Sequence, residues 1–155
     1  MEYQDFPRVA DYMRKIPPVY PSSTLKDVAK HMEKNKTPIV AVVDENNIIL
    51  GAIDITLLTR PFIPDFIDFI EDFSFVSNFG ALEHKIFSGE MYPLFLAMDI
   101  MQKNYPHIEE NDSVAKALFS IYRSKITGLI VQKDRYYRGI ISRFDLLKFL
   151  YDTDG

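Results

Sequence analysis

The sequence predicts a mixed α+β (α/β mixed) fold made of two β-α-β-β-α repeats that bury their sheet faces against each other, with a helical insert between them. Three observations predict it. An apolar stripe at helical spacing, Leu25, Val28, Ala29 and Met32, returns 89 positions later as Val114, Ala117, Leu118 and Ile121. A short apolar strand follows each stripe, Ile39-Val-Ala-Val-Val43 in the first copy and Gly128-Leu-Ile-Val131 in the second. A second strand in each copy carries a glycine at the same place, Gly51 and Gly139.

Taken in order, the elements match one another. The lead-ins Ala10-Asp-Tyr-Met13 and Met98-Asp-Ile-Met101 precede a first strand, where Pro18 before Val19-Tyr20 parallels Pro106 before His107-Ile108. Ser23 and Thr24, and then Asp112 and Ser113, carry side-chain oxygens suited to the free N–H groups of a first helical turn. Polar turns Asp44-Glu-Asn-Asn47 and Lys133-Asp-Arg135 separate the strands. The second strands are Ile48 to Ile53 and Tyr136 to Ile141, and their glycines lie 88 apart because the second turn is one residue shorter. A last helix closes each copy, around Leu57-Leu58 and around Asp145 to Leu150.

The repeats occupy residues 7–60 and 95–152, and residues 61–94 form the insert. In the insert Phe62, Phe66, Phe69 and Phe73 make a helical stripe beside Ile63, Ile67 and Ile70, with Asp65, Asp68, Glu71 and Asp72 opposite. Pro61 and Pro64 suit a helix start. Two readings stay open for it: a helix packed on the core, or an aromatic patch for dimerisation or a regulated partner.

Composition removes several functions. A net charge of −4 argues against a broad grip on a nucleic-acid duplex. The absence of cysteine removes disulfides, thiolate metal sites and thiol nucleophiles. His31, His84 and His107 form no metal-ligand spacing, so no metal is expected; His31 lies off its helix's apolar stripe, facing solvent. No apolar run is long enough for membrane insertion, and the start Met1-Glu-Tyr-Gln-Asp-Phe-Pro-Arg lacks a signal's pattern. The expectation is a soluble cytoplasmic protein.

The paired repeat resembles a tandem CBS domain pair, or Bateman module, over roughly residues 7–60 and 95–152. The resemblance is sharpened by a glycine after the third strand followed by Ser or Thr, two variable residues and Asp, present as Gly139-Ile-Ile-Ser-Arg-Phe-Asp145. It implies a pseudo-two-fold pair that binds an adenosine-type ligand in the cleft between copies. By the resemblance Asp145 takes the ribose hydroxyls and Ser142 a phosphate or ribose oxygen at the start of a helix, with Arg143 beside it for phosphate. His107, Ile108, Ile126, Thr127 and Gly128 then wall the adenine. An ionised carboxylate suits a diol because it accepts two hydrogen bonds. Against this stands a local role, Ser142 and Asp145 capping the last helix.

The first copy departs from the motif. Gly51-Ala-Ile-Asp-Ile-Thr-Leu57 puts Asp54 where the hydroxyl belongs and Leu57 where the carboxylate belongs. Leucine cannot hold a ribose and Asp54 repels phosphate. Val19, Tyr20 and Thr37 remain as adenine-pocket candidates beside Asp54, in a site that is degenerate or altered in specificity. Lys34, Lys36, Arg123 and Lys125 near the helix ends are expected at the surface, one or two of them facing a phosphate.

The resulting expectation is a non-catalytic regulatory module, a homodimer acting on a regulated enzyme or transporter. It needs no catalytic cofactor. AMP, ADP or ATP, as in energy sensing, come first as ligands, with S-adenosylmethionine behind them. The alternative is a ligand-free protein–protein interaction or dimerisation module. An enzyme is disfavoured by the lack of a phosphate-binding Gly-rich loop and of a serine-nucleophile elbow.

Overall fold

In the computed structural model, which describes residues 6–63, 67 and 95–151, each copy builds its own sheet. The first copy contains α1 (Val9–Tyr12), α2 (Leu25–Asn35), β1 (Ile39–Val43), β2 (Ile49–Asp54) and α3 (Ile55–Thr59), followed by a 3-10 turn, Arg60–Phe62. The second contains α4 (Ala97–Ile100), β3 (His107–Glu109), α5 (Val114–Ser124), β4 (Gly128–Lys133), β5 (Tyr136–Ser142) and α6 (Leu146–Tyr151). The predicted insert lies outside the described residues, apart from Pro61 to Ile63 and Ile67. So does His84.

Local chemistry accounts for the elements. Thr24 Oγ1 accepts from the Asp27 amide at 3.1 Å, and Ser113 Oγ from the Lys116 amide at 3.2 Å, so both long helices start at the expected caps. Both end on a left-handed lysine, Lys36 at φ 50° and Lys125 at φ 56°. Their stripes are buried at Leu25, Val28 and Met32 in one and at Val114, Ala117 and Ile121 in the other, whereas Leu118 is half-buried and Ala29, at the edge of its stripe, is exposed. Asp134 and Arg135 both take positive φ in the β4–β5 turn, the handedness a two-residue hairpin needs.

Two expectations change. The first strand of copy one shrinks to a single parallel bridge, Val19 to Val42, whereas β3 makes three pairs with β4. Pro17, Pro18 and Pro21 crowd Val19 and cannot donate to a ladder, while the second copy has only Pro106 there. His31 is half-buried rather than solvent-facing, because its Nε2 shares a hydrogen bond with the Pro17 carbonyl.

The copies interlock through their lead-ins, an exchange that no local pattern signals. Arg14 and Ile140 exchange backbone hydrogen bonds of 2.8 and 3.0 Å, and Gln102 and Ala52 do the same at 2.8 and 3.0 Å. Val9 of α1 packs in the core of copy two with Val114, Ile121 and Leu146, and Ala97 of α4 packs with Val28, Val40 and Ile53 of copy one. Each small helix is fastened by an aspartate, with Asp11 accepting from the Arg8 amide and Asp99 from the Leu96 amide. The paired glycines sit where the lead-ins cross. A Cβ on Gly51 would lie 2.8 Å from the Gln102 carbonyl, and one on Gly139 only 2.6 Å from that of Arg14.

Between the sheets a third cluster joins Ile39, Ala41, Val43 and Ala52 to Ile130 and Ile140, with Tyr105 and Tyr137 among them. The two phenols differ. Tyr137 donates to the Ile16 carbonyl, while the buried Tyr105 hydroxyl has no hydrogen-bond partner among the described residues. Tyr105→Phe is therefore expected to raise stability by about 1 kcal/mol and Tyr137→Phe to lower it by about as much, read by urea denaturation. Desolvation, and then the Asp54 charge, push the Tyr105 phenol up to about 12, and burial raises Tyr137 as well. An unfolded phenol titrates near about 10. Stability contributed by these protons is complete below that pH and falls as pH rises through the folded values, because the unfolded chain releases them first.

Candidate ligand-binding site

The seam between the copies opens beside the end of β5. A cavity of about 470 Å³ there is lined by Arg14, Lys36 and Pro38 of the first copy and by Thr127, Ser142, Arg143, Phe144 and Leu147 of the second. Arg14, Lys36, Phe144 and Leu147 also line a neighbouring recess of about 1170 Å³, which adds Tyr12, Met13, Asp11 and Asp145. The two adjoin along that shared wall of two cations and two apolar side chains, with Ser142, Thr127 and Arg143 on the smaller cavity and Asp145 on the larger.

Four of the residues expected in the second copy line these cavities, Thr127, Ser142, Arg143 and Asp145, with Gly128 beside Ser142 in the sheet. Ser142 ends β5 and is buried; a three-residue turn separates it from α6, so it does not stand at that helix's start. Asp145 Oδ2 accepts from the Ser142 amide at 2.8 Å and from Ser142 Oγ at 3.0 Å. The carboxylate thus closes the turn with one oxygen, and Oδ1 has no hydrogen-bond partner among the described residues. Arg143 is held from behind, its amide donating to the Thr127 carbonyl and its Nε to that of Ile126, both at 2.8 Å. Gly128 pairs with Ser142 across β4 and β5, and a Cβ there would come within 3.2 Å of the Ser142 Cα.

Three expected wall residues are placed elsewhere. Ile108 is 3% exposed inside the core of copy two, and Ile126 is half-buried between two core clusters, meeting the site only through its carbonyl. His107 is exposed and lines a different recess of about 520 Å³ with Lys103, Tyr105, Gln132 and Arg135. In the first copy Val19 is buried against Val40 and Val42, and Tyr20 is half-exposed. Thr37 is buried with Oγ1 donating to the Ile39 carbonyl at 2.7 Å. Asp54 caps α3 by accepting from the Leu57 amide at 2.8 Å. These four share none of the cavities described above.

Sequence reasoning missed Arg14, Tyr12, Met13, Phe144 and Leu147. Arg14 donates to the Lys36 carbonyl at 2.9 Å and to that of Asn35, holding the end of α2 against the seam. Arg14, Lys36 and Arg143 have no carboxylate partner among the described residues, whereas Lys116, Lys133 and Arg138 are all paired with acids. Cationic side chains without a carboxylate partner beside a buried hydroxyl suit an anionic group. Among the described residues no group of three metal-ligating side chains gathers, and no helix is long and apolar enough to cross a membrane.

Comparison with known proteins follows the same division into copies. The family profile described as CBS domain matches residues 9–60 and 97–152. No curated protein sequence matches the chain at a significant level. Among solved structures, the CBS domain of a CBS domain-containing membrane protein from Sphaerobacter thermophilus is 26% identical with a TM-score of 0.67, covering 94% of this chain and 88% of that one. The CBS-pair protein CBSX2 from Arabidopsis thaliana is 18% identical with a TM-score of 0.72, covering 96% and 97%. A further structure is a CBS domain pair in complex with 5′-methylthioadenosine and S-adenosyl-L-methionine, 20% identical, TM-score 0.65, covering 94% and 96%. CBSX2 has also been solved in complex with AMP, at 17% identity, TM-score 0.69, covering 96% and 99%.

Proposed function

We propose, from the premise that the chain belongs to the CBS domain family and is a tandem CBS pair, that it is a non-catalytic sensor of an adenosine-type ligand. The ligand binds in the groove beside Asp145. One observation carries the reading: Arg14, Lys36 and Arg143 gather with Ser142, Thr127 and Asp145 around two adjoining cavities that Tyr12, Met13, Phe144 and Leu147 also line. A nucleoside phosphate has a part for each of these groups. Its phosphate meets the cations, its ribose the free oxygen of Asp145, and its base the exposed ring of Phe144 and the apolar wall. The complexes of related pairs with AMP and with S-adenosylmethionine support this ligand class. The three cations favour AMP, ADP or ATP over S-adenosylmethionine.

Because both copies line the groove, a ligand there favours one relative packing of the copies, and that preference is what a partner reads. The partner is a regulated enzyme or transporter, and the module acts in the cytoplasm as a homodimer. Exposed Phe119 and Tyr122 on α5 and Leu150 and Tyr151 on α6 support such pairing. Thermal shift with AMP, ADP, ATP, S-adenosylmethionine and GMP tests the ligand class. A ligand at a hundred times its dissociation constant adds about 2.7 kcal/mol, a shift of several degrees. A shift with an adenine nucleotide and none with GMP is the expected result. No shift with any compound replaces the sensor by the ligand-free interaction module.

A further inference from the structure

We infer that the recess beside His107 is a second binding site, which takes a small phosphate-bearing molecule and is separate from the cavities beside Ser142 and Asp145. It lies on the seam, lined by Ile48 and Ile49 of the first copy and by Lys103, His107, Gln132 and Arg135 of the second. It shares no lining residue with the other two cavities, so it stands apart from their reading as a nucleotide site. Lys103 of the lead-in, His107 at the start of β3 and Arg135 in the β4–β5 turn converge on it from three stretches of chain. No carboxylate lines it, and neither Lys103 nor Arg135 forms an ion pair among the described residues. Two cations and an imidazole around one concavity favour a ligand with more than one negative charge, and a phosphate has oxygens for all three. The isoleucines leave an apolar wall for the rest of such a molecule.

The matching recess of the other copy lacks this equipment. It measures about 320 Å³, and its cations are Lys15 and Arg138. Arg138 Nε is held by Glu110 at 3.0 Å, which leaves Lys15 alone without a carboxylate among the described residues. The exchange centres on one turn position. Asn47 lines the smaller recess and Arg135 the larger, 88 positions apart, and both have left-handed backbone, φ 66° and 75°. Asparagine tolerates that conformation, and glycine is what a two-residue hairpin favours there; arginine has neither advantage. A residue unsuited to its backbone is kept where it lines the recess, and a ligand for its guanidinium accounts for that.

Pyrophosphate is the probe, titrated at constant ionic strength while the histidine ring resonances are followed by NMR. The His107 signals are identified by their loss in His107→Gln. A saturable shift of His107, with none at His31, is the expected result. Arg135→Gly removes the guanidinium and suits the left-handed turn, so it is expected to melt no lower than the natural chain. Its half-saturating pyrophosphate concentration is expected to rise roughly tenfold, and that of Lys103→Gln likewise. Arg143→Gln is expected to weaken AMP binding and to leave the His107 titration as it was, so a failure of either site is read separately from the other. No saturable shift at His107, an equal shift with sulfate, or undiminished affinity in either Arg135→Gly or Lys103→Gln overturns the site.

Discussion

Gly139→Val is expected to destabilise the protein by about 3 kcal/mol, lowering its melting temperature by roughly 6–12 °C. The smallest side chain already places a carbon 2.6 Å from the Arg14 carbonyl, which is backbone and cannot swing aside. Relief requires the lead-in to lift from β5, and that breaks the two hydrogen bonds between Arg14 and Ile140. Gly51→Val meets the Gln102 carbonyl at 2.8 Å and is expected to cost somewhat less. Thermal denaturation of the two variants measures both. If either melts like the natural chain, the lead-ins are not docked as described.

Asp145→Ala is expected to weaken AMP binding roughly ten- to a hundredfold, the range for losing a charged hydrogen-bond partner. The same carboxylate also closes the β5–α6 turn, so alanine leaves the buried Ser142 amide without its acceptor and lowers the melting temperature too. Asp145→Asn separates the two roles. Its amide oxygen still accepts from Ser142, so melting is expected to change little, while the missing charge lowers affinity by about tenfold. Equal losses of affinity and stability across both variants would reduce Asp145 to a turn residue. Calorimetry and melting curves on the same samples decide between them.

The repeat was legible because its signals are local. Helix stripes, Thr24 and Ser113 at the caps, and the turn before Tyr136 each depend on residues within a few positions. The glycine pair was also legible, although its reason was not. Gly139 is small because Arg14, 125 positions earlier, crosses it, and no local pattern announces that crossing. The same exchange hid half of the site. Arg14, Tyr12 and Met13 belong to the first lead-in yet line a groove beside the second copy's motif. His107 and Ile108 were placed in the wall by the resemblance, but alternation along β3 turns Ile108 to the core of copy two and His107 to a separate recess. The motif residues Ser142, Arg143 and Asp145 stay together because three residues of chain cannot separate them. The hydroxyl of Tyr105, unpartnered among the described residues, had no sequence signal, because the cluster around it is drawn from both copies.

The most direct measurement is calorimetric titration of AMP into the natural chain and into Asp145→Ala under one buffer condition. A single-site adenosine sensor requires one AMP per chain, with affinity at least tenfold weaker in the variant. Identical isotherms for the two proteins, or two equivalent sites in the natural chain, would contradict it.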